Sequence, residues 1–196
     1  DPQLTRIARY QVPEASGQPF RLAFSGDGSR LAVGLTGGRS PQVLLLTGDT
    51  LQPKQTFAGA EGRRGTLSSV TFSGDGKSLY AAGSYSDGEG LRLIRRWPLD
   101  GGAAVDLSLG KRDIVTDLQP LKDGGIAFAT ADPMWGVIAA NGQSTLAQAP
   151  RQADFRDGYD GCFAVSADGS VVDFGLAGRG RDCVRFNVAT SSLERD

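Results

Sequence analysis

The sequence predicts an all-β chain made of four repeated, four-stranded antiparallel units. Three observations predict it. First, a phrase returns at fixed spacing: Phe24-Ser25-Gly26-Asp27-Gly28 reappears as Phe72-Ser73-Gly74-Asp75-Gly76, with weaker copies at Leu121-Lys122-Asp123-Gly124 and Val165-Ser166-Ala167-Asp168-Gly169. The second glycines stand at 28, 76, 124 and 169, so the steps are 48, 48 and 45 residues. A period of this size marks stacked supersecondary units. Second, short runs of apolar, β-branched and aromatic residues flank the Asp-Gly pairs. Third, glycine is the most frequent residue, with 28 copies among 196. It recurs in every window long enough for an amphipathic helix, and it weakens helices.

The elements follow in order within each unit. Arg21-Leu22-Ala23-Phe24 and Val70-Thr71-Phe72 lead into Asp-Gly; Leu31-Ala32-Val33-Gly34 and Leu79-Tyr80-Ala81-Ala82 lead out of it. Asp-Gly between alternating runs reads as a hairpin, because glycine accepts the positive φ of a tight turn. After a polar, glycine-rich loop comes a third run: Val43-Leu44-Leu45-Leu46, Leu91-Arg92-Leu93-Ile94, Gly136-Val137-Ile138-Ala139 and Cys183-Val184-Arg185-Phe186. A fourth run closes most units, at Lys54-Gln55-Thr56-Phe57, Val105-Asp106-Leu107-Ser108-Leu109 and Thr145-Leu146-Ala147. Four strands in roughly 45–50 residues is the size of a β-propeller blade. The expected units are residues 13–58, 59–110, 111–149 and 150–196.

The pattern Phe-Ser-x-Asp-Gly-x-x-Leu-x-x-Gly, then Asp-Gly, then an arginine-rich strand ending in tryptophan, resembles WD-repeat (WD40-like) propellers. The best copy runs from Val70 to Gly102, with Leu79, Ser86-Asp87-Gly88, Arg92 and Trp97 in place. With two departures the pattern resembles the degenerate, bacterial-type repeats rather than the regular eukaryotic ones. Pro98 follows Trp97 where the family has aspartate, and the chain has no histidine for the family's buried hydrogen-bond set. The runs Ile94-Arg95-Arg96-Trp97, Asp132-Pro133-Met134-Trp135-Gly136-Val137 and Phe163-Ala164-Val165-Ser166-Ala167-Asp168-Gly169 also resemble propeller regions attached to bacterial caspase-like peptidases. That resemblance implies an accessory domain whose catalytic part lies elsewhere.

The ends suggest an offset of one strand. Residues 4–12 alternate like a strand ahead of the first hairpin, and the fourth strand of the last unit is barely started. The reading is part of a larger ring, with the strand at 4–12 belonging to an adjoining or closing blade. Missing sequence that carries further blades, another chain, another copy, or closure of 4–12 beside Cys183-Val184-Arg185-Phe186-Asn187-Val188 would cover the open faces.

A formal net charge of −1 argues against a dedicated nucleic-acid binder. No apolar run reaches the ~18–20 residues of a membrane span. The compartment stays open between cytoplasm and periplasm. The repeated acids Asp27, Asp75, Asp123 and Asp168, each before Gly28, Gly76, Gly124 and Gly169, read as turn residues rather than a metal ring. Asp154, Asp157 and Asp160 match no calcium loop. Cys162 and Cys183 open strands two spacings apart, ~9.5 Å, beyond disulfide reach of about 7 Å; a bridge through curled loops stays open. Without histidine, Ser-His-Asp and Cys-His mechanisms are excluded. No cofactor and no metal are expected.

The expected function is a non-catalytic scaffold for a protein or peptide partner. Arg63, Arg64, Trp135, Arg179 and Arg181 are the expected contacts, with Trp135 read as an exposed loop anchor and the arginines as loop cations on one rim. The alternative is a propeller enzyme or small-ligand binder using an acidic central channel.

Overall fold

The computed structural model describes residues 7–131, 134–148, 163–175, 183–190 and 192–194. Apart from one 3-10 turn at Glu14–Ser16, its regular structure is entirely strand. In the first unit β1 (Gln18–Phe24), β2 (Arg30–Thr36), β3 (Gln42–Thr47) and β4 (Pro53–Ala58) pair in chain order. The second repeats this with β5 (Ser69–Phe72), β6 (Ser78–Ala82), β7 (Leu93–Pro98) and β8 (Val105–Ser108). The third uses β9 (Val115–Pro120), β10 (Ile126–Thr130), β11 (Met134–Ile138) and β12 (Ser144–Gln148). The fourth uses β13 (Phe163–Val165), β14 (Val171–Gly175), β15 (Cys183–Asn187) and β16 (Ser192–Glu194). Every pairing is antiparallel. These are four propeller blades.

Consecutive blades stack through their first strands: β1 packs on β5, β5 on β9, and β9 on β13. Alternation along each strand sends one set of side chains to the preceding blade and the other to the following one. Ala32, Val43 and Leu45 of blade 1 thus meet Val70, Phe72, Leu79 and Trp97 of blade 2. Tyr80, Ala82 and Ile94 meet Ile126, Phe128 and Ile138 of blade 3. Ala127, Ala129 and Trp135 meet Phe163, Val172 and Phe186 of blade 4. The first seam is close enough to require glycine. A Cβ on Gly34 would collide with the Ser68 carbonyl, beside the bond from Leu35 N–H to the Leu67 carbonyl (3.1 Å).

Two expectations about the ends are corrected. Residues 7–12 form no strand; Tyr10 and Val12 instead lay their side chains on Leu31, Val33, Leu35, Leu44 and Leu46 of blade 1. Their alternation serves to cover an apolar face, not to form a ladder. Blade 4 has its outer strand, because β16 pairs with β15 at Arg185↔Glu194, Phe186↔Leu193 and Asn187↔Ser192. That pairing takes the edge on which closure by residues 4–12 was expected. Residues 4–6 lie outside the described part of the chain.

Candidate functional site

A four-stranded meander puts two kinds of connection at opposite ends. The Asp-Gly hairpins joining first to second strands lie at one end. The loops joining second to third strands, and the links between blades, lie at the other.

At the hairpin end the acids are engaged by their own turns. Ser25 Oγ donates to Asp27 Oδ1 at 2.6 Å and Ser29 N–H donates to it at 3.0 Å. Ser73 Oγ and Lys77 N–H do the same for Asp75 (2.6 and 3.0 Å), and Ser166 Oγ and Ser170 N–H for Asp168 (2.6 and 3.1 Å). In the third blade Gly125 N–H donates to Asp123 at 2.9 Å. Gly28, Gly76, Gly124 and Gly169 hold φ of 70°, 70°, 86° and 74°, the region glycine enters without strain. Arg30 ties the first two turns together, donating to the Gly76 carbonyl (3.4 Å) and lying over the Phe72 ring (5.7 Å). The space between them is a cavity of about 260 Å³ lined by Ser25, Gly26, Asp27, Arg30, Gly74, Asp75 and Gly76. Among the described residues no three acids or thiols gather as metal ligands.

Those serine hydroxyls favour the charged carboxylates. Hydrogen bonds from Ser25 and Ser73 hold Asp27 and Asp75 below the ordinary range. Asp168, bonded first by Ser166 and then by Ser170, drops from 3.8 to about 2. A folded-state pKa below the unfolded one stabilises fully above the unfolded value and fades as pH falls through the folded one. The Asp168 contribution is therefore complete above pH 3.8 and lost towards about 2. Carboxyl-carbon NMR titration is expected to place the Asp168 midpoint near 2; Ser166→Ala should return it toward the ordinary value. An unshifted wild-type midpoint would contradict the turn geometry.

The loop end is richer in cations. Arg63 donates to Asp106 Oδ2 (3.1 Å), which it shares with Arg95 (2.7 Å to Oδ1) and the Tyr85 hydroxyl (3.1 Å). Tyr85 Oη also accepts from Ala60 N–H at 2.9 Å, and burial pushes its phenol up, so it stays a neutral donor. Arg63 is thus a staple that fastens the link between blades 1 and 2. Arg64 is exposed. Its backbone bridges Ser86, Ser86 bridges Arg92, and Arg92 N–H donates to the Lys111 carbonyl (2.6 Å). Four chain segments therefore lie side by side along this rim. At the next seam Lys111, Arg112, Asp113 and Met134 line a cavity of about 290 Å³, beside exposed Ile114.

No family model matches the chain. Over 112 residues it is 33% identical to telomerase Cajal body protein 1 of Mus musculus, a match covering 56% of this chain and 20% of that protein. The β-propeller domain of Cps50 (Swd1) from Myceliophteria thermophila superposes with a TM-score of 0.64 at 18% identity, over 91% of this chain and 54% of that one. The WD40 repeats of RRP9 superpose at 0.63 and 20% identity, over 89% and 48%. The fold is that of a WD40 β-propeller. Hydrazine synthase of Kuenenia stuttgartiensis superposes equally well, with a TM-score of 0.66 at 16% identity over 95% of this chain and 50% of that one. The WD40-type fold therefore does not fix an activity. The chain spans about a fifth of the curated relative and about half of the solved chains.

Within this WD40-type array the expected contacts divide. Arg63 and Arg64 stand together on the loop end, one as a staple and one free to the solvent side. Trp135 is not a loop anchor. β11 begins at Met134, so Trp135 pairs with Ala129 and Ala147 inside the sheet; it is 1% exposed and meets Phe186 edge-on at 5.5 Å. The cause is a shorter second-to-third loop than expected, which puts Trp135 and Val137 on the face that meets blade 4. Arg179, Arg181, Cys162, Asp154, Asp157 and Asp160 lie outside the described residues. The expectation missed Lys111 and Arg112. The signal was present: they follow Arg63 and Arg64 at one repeat period, in the equivalent link between blades.

Proposed function

We propose that this WD40-type propeller chain is a non-catalytic scaffold whose loop end holds a protein or peptide. The recurrence of a basic pair at the first two inter-blade links, Arg63-Arg64 and Lys111-Arg112, carries the reading. Cations beside Met134 and Ile114 suit a peptide that sets an acidic residue next to an apolar one. Interspersed Glu61, Asp87, Glu89 and Asp113 disfavour a continuous polyanion. Arg179 and Arg181 join the proposal through their place between the second and third strands of blade 4. WD40 repeats in the structural neighbours support a scaffold role.

The non-catalytic part rests on the absence of histidine from the sequence and on turn acids bonded to their own backbone. Attachment to a caspase-like peptidase is supported by the sequence runs alone, and their Trp97, Trp135 and Phe163 are blade-core residues here. Another chain or copy completing the ring belongs to the same proposal.

The test is a peptide selected from a random library on the intact chain and titrated by fluorescence polarisation. Arg64→Ala with Arg112→Ala is expected to weaken binding at least about tenfold, or ~1.4 kcal/mol. Lys77→Ala, at the hairpin end, should leave it unchanged. Wild-type affinity in the double variant would reject the rim.

A further inference from the structure

We propose that Arg92 is the anion anchor of the loop end and that it grips one carboxylate of the bound peptide by a two-bond fork. The carboxylate is an acidic side chain or the C-terminal group. This rests on the reading of the loop end as the partner-binding rim, and it names the chemistry that the rim receives.

The backbone of Arg92 is pinned on both sides. It stands immediately before β7, bridged by Ser86 of the second-to-third loop. Its N–H donates to the Lys111 carbonyl at 2.6 Å, and its carbonyl accepts from Leu109 N–H at 3.1 Å. The side chain is thus carried on a fixed base between the segments that hold Arg64 and Lys111. A fixed base lowers the ordering cost of binding.

The guanidinium is half-buried and poorly matched. Nη1 donates to the Ser84 carbonyl at 2.8 Å. Nε is buried and donates to nothing among the described residues; the other two atoms in that condition, on Tyr80 and Trp135, belong to neutral groups. Among the described residues no carboxylate lies within ion-pair reach of Arg92. Asp87, in the adjoining loop, gives a carboxylate oxygen to Glu89 and Leu91 N–H at 3.0 and 2.8 Å. The arginines that hold the fold are better matched. Arg95 has Asp106, the Ala58 carbonyl and the Trp97 ring. Arg96 has Ser78 Oγ, the Ala140 carbonyl and the Tyr80 ring.

With Nη1 taken by Ser84, the edge that Arg92 offers is the one formed by Nε and Nη2. That edge holds a carboxylate by two parallel bonds. A buried donor without an acceptor, and a charge without a counter-ion, both cost the free chain stability. One carboxylate satisfies both. Because Nε is covered in the free chain, the carboxylate enters at Nη2 and the guanidinium turns to complete the fork. Asp87, Glu89 and Asp113 stand in the same loops, and they repel a dianionic phosphate more than a single negative charge.

The test uses the intact chain and the peptide selected on it. Two copies of that peptide, one with its acidic side chains as amides and one with its C-terminus amidated, tell the two sources apart. One copy is expected to bind wild type at least about tenfold more weakly than the parent peptide. Arg92→Met keeps the stem, and Arg92→Lys keeps the charge without the fork. Both should lose about the same factor with the parent peptide, and the difference between parent and copy should vanish. Thermal melting without peptide gives a second readout. Arg92→Met is expected to hold or raise the midpoint, because it removes an unpaired charge, whereas Arg95→Met should lower it. Wild-type affinity in both Arg92 variants, with Arg64→Ala/Arg112→Ala still weakened, would overturn the anchor and leave the rim standing. Wild-type affinity in all three would remove the rim as well. A lowered midpoint for Arg92→Met would mark a structural arginine and overturn the proposal. Tighter binding of a phosphoserine copy would overturn the carboxylate assignment.

Discussion

Trp135→Ala is expected to destabilise the chain by about 3–5 kcal/mol, the range for emptying an aromatic site in a packed core. Trp135 is 1% exposed, meets Phe186 edge-on, and sits in the cluster that joins blade 3 to blade 4. Blade 4 makes its core contacts through that cluster, so its loss should loosen β13–β16 before the rest. Urea denaturation with proteolysis mapped by mass spectrometry checks both points. Trp135→Phe is expected to be milder. The indole Nε1 is buried with no partner among the described residues, and such an orphan costs about 1–3 kcal/mol, so removing it offsets part of the lost volume. Equal losses for the two variants would contradict the packing role, and a wild-type melt for Trp135→Ala would return the residue to the surface.

Asp106→Ala is expected to cost about 3 kcal/mol, because removing one member of a buried ion pair strands the other charge. Asp106 and Arg95 each keep only 12% of their side-chain surface, and Arg63, at 33%, adds less. The Tyr85 hydroxyl loses its acceptor in the same step. Arg95 also donates to the Ala58 carbonyl (3.2 Å), so the network anchors the end of β4 and the link that carries Arg64. The variant should therefore melt earlier and expose residues 59–65 to protease. A double-mutant cycle with Arg95→Ala separates the pair energy from the rest. Additive losses would show that the two residues act independently.

Much of the molecule was legible in its sequence. The Asp-Gly hairpins were readable because their chemistry is local: a serine, an aspartate and a positive-φ glycine settle their own hydrogen bonds within five residues. Strand number and order followed from alternation between such turns. The position of Arg63-Arg64 in a link between blades was legible, and that of Lys111-Arg112 was within reach of the same repeat. Trp135 was misread because a tryptophan after Asp132-Pro133-Met134 looks like a loop residue until β10 and β11 are paired. Residues 7–12 were misread because alternation fits both a strand and a segment lying on an apolar face.

By itself, then, the sequence determined an all-β repeat of four antiparallel blades, since turn geometry and two-residue periodicity act over a few neighbours. The tertiary structure decided what each face meets. It placed Trp135 against Phe186, turned Arg63 into a staple on Asp106, laid Tyr10 and Val12 over blade 1, and left Leu22 and Phe24 bare. These depend on which blade stands next to which, and that is fixed by burial across seams between residues about 40–50 apart, where no local pattern in the chain records the neighbour.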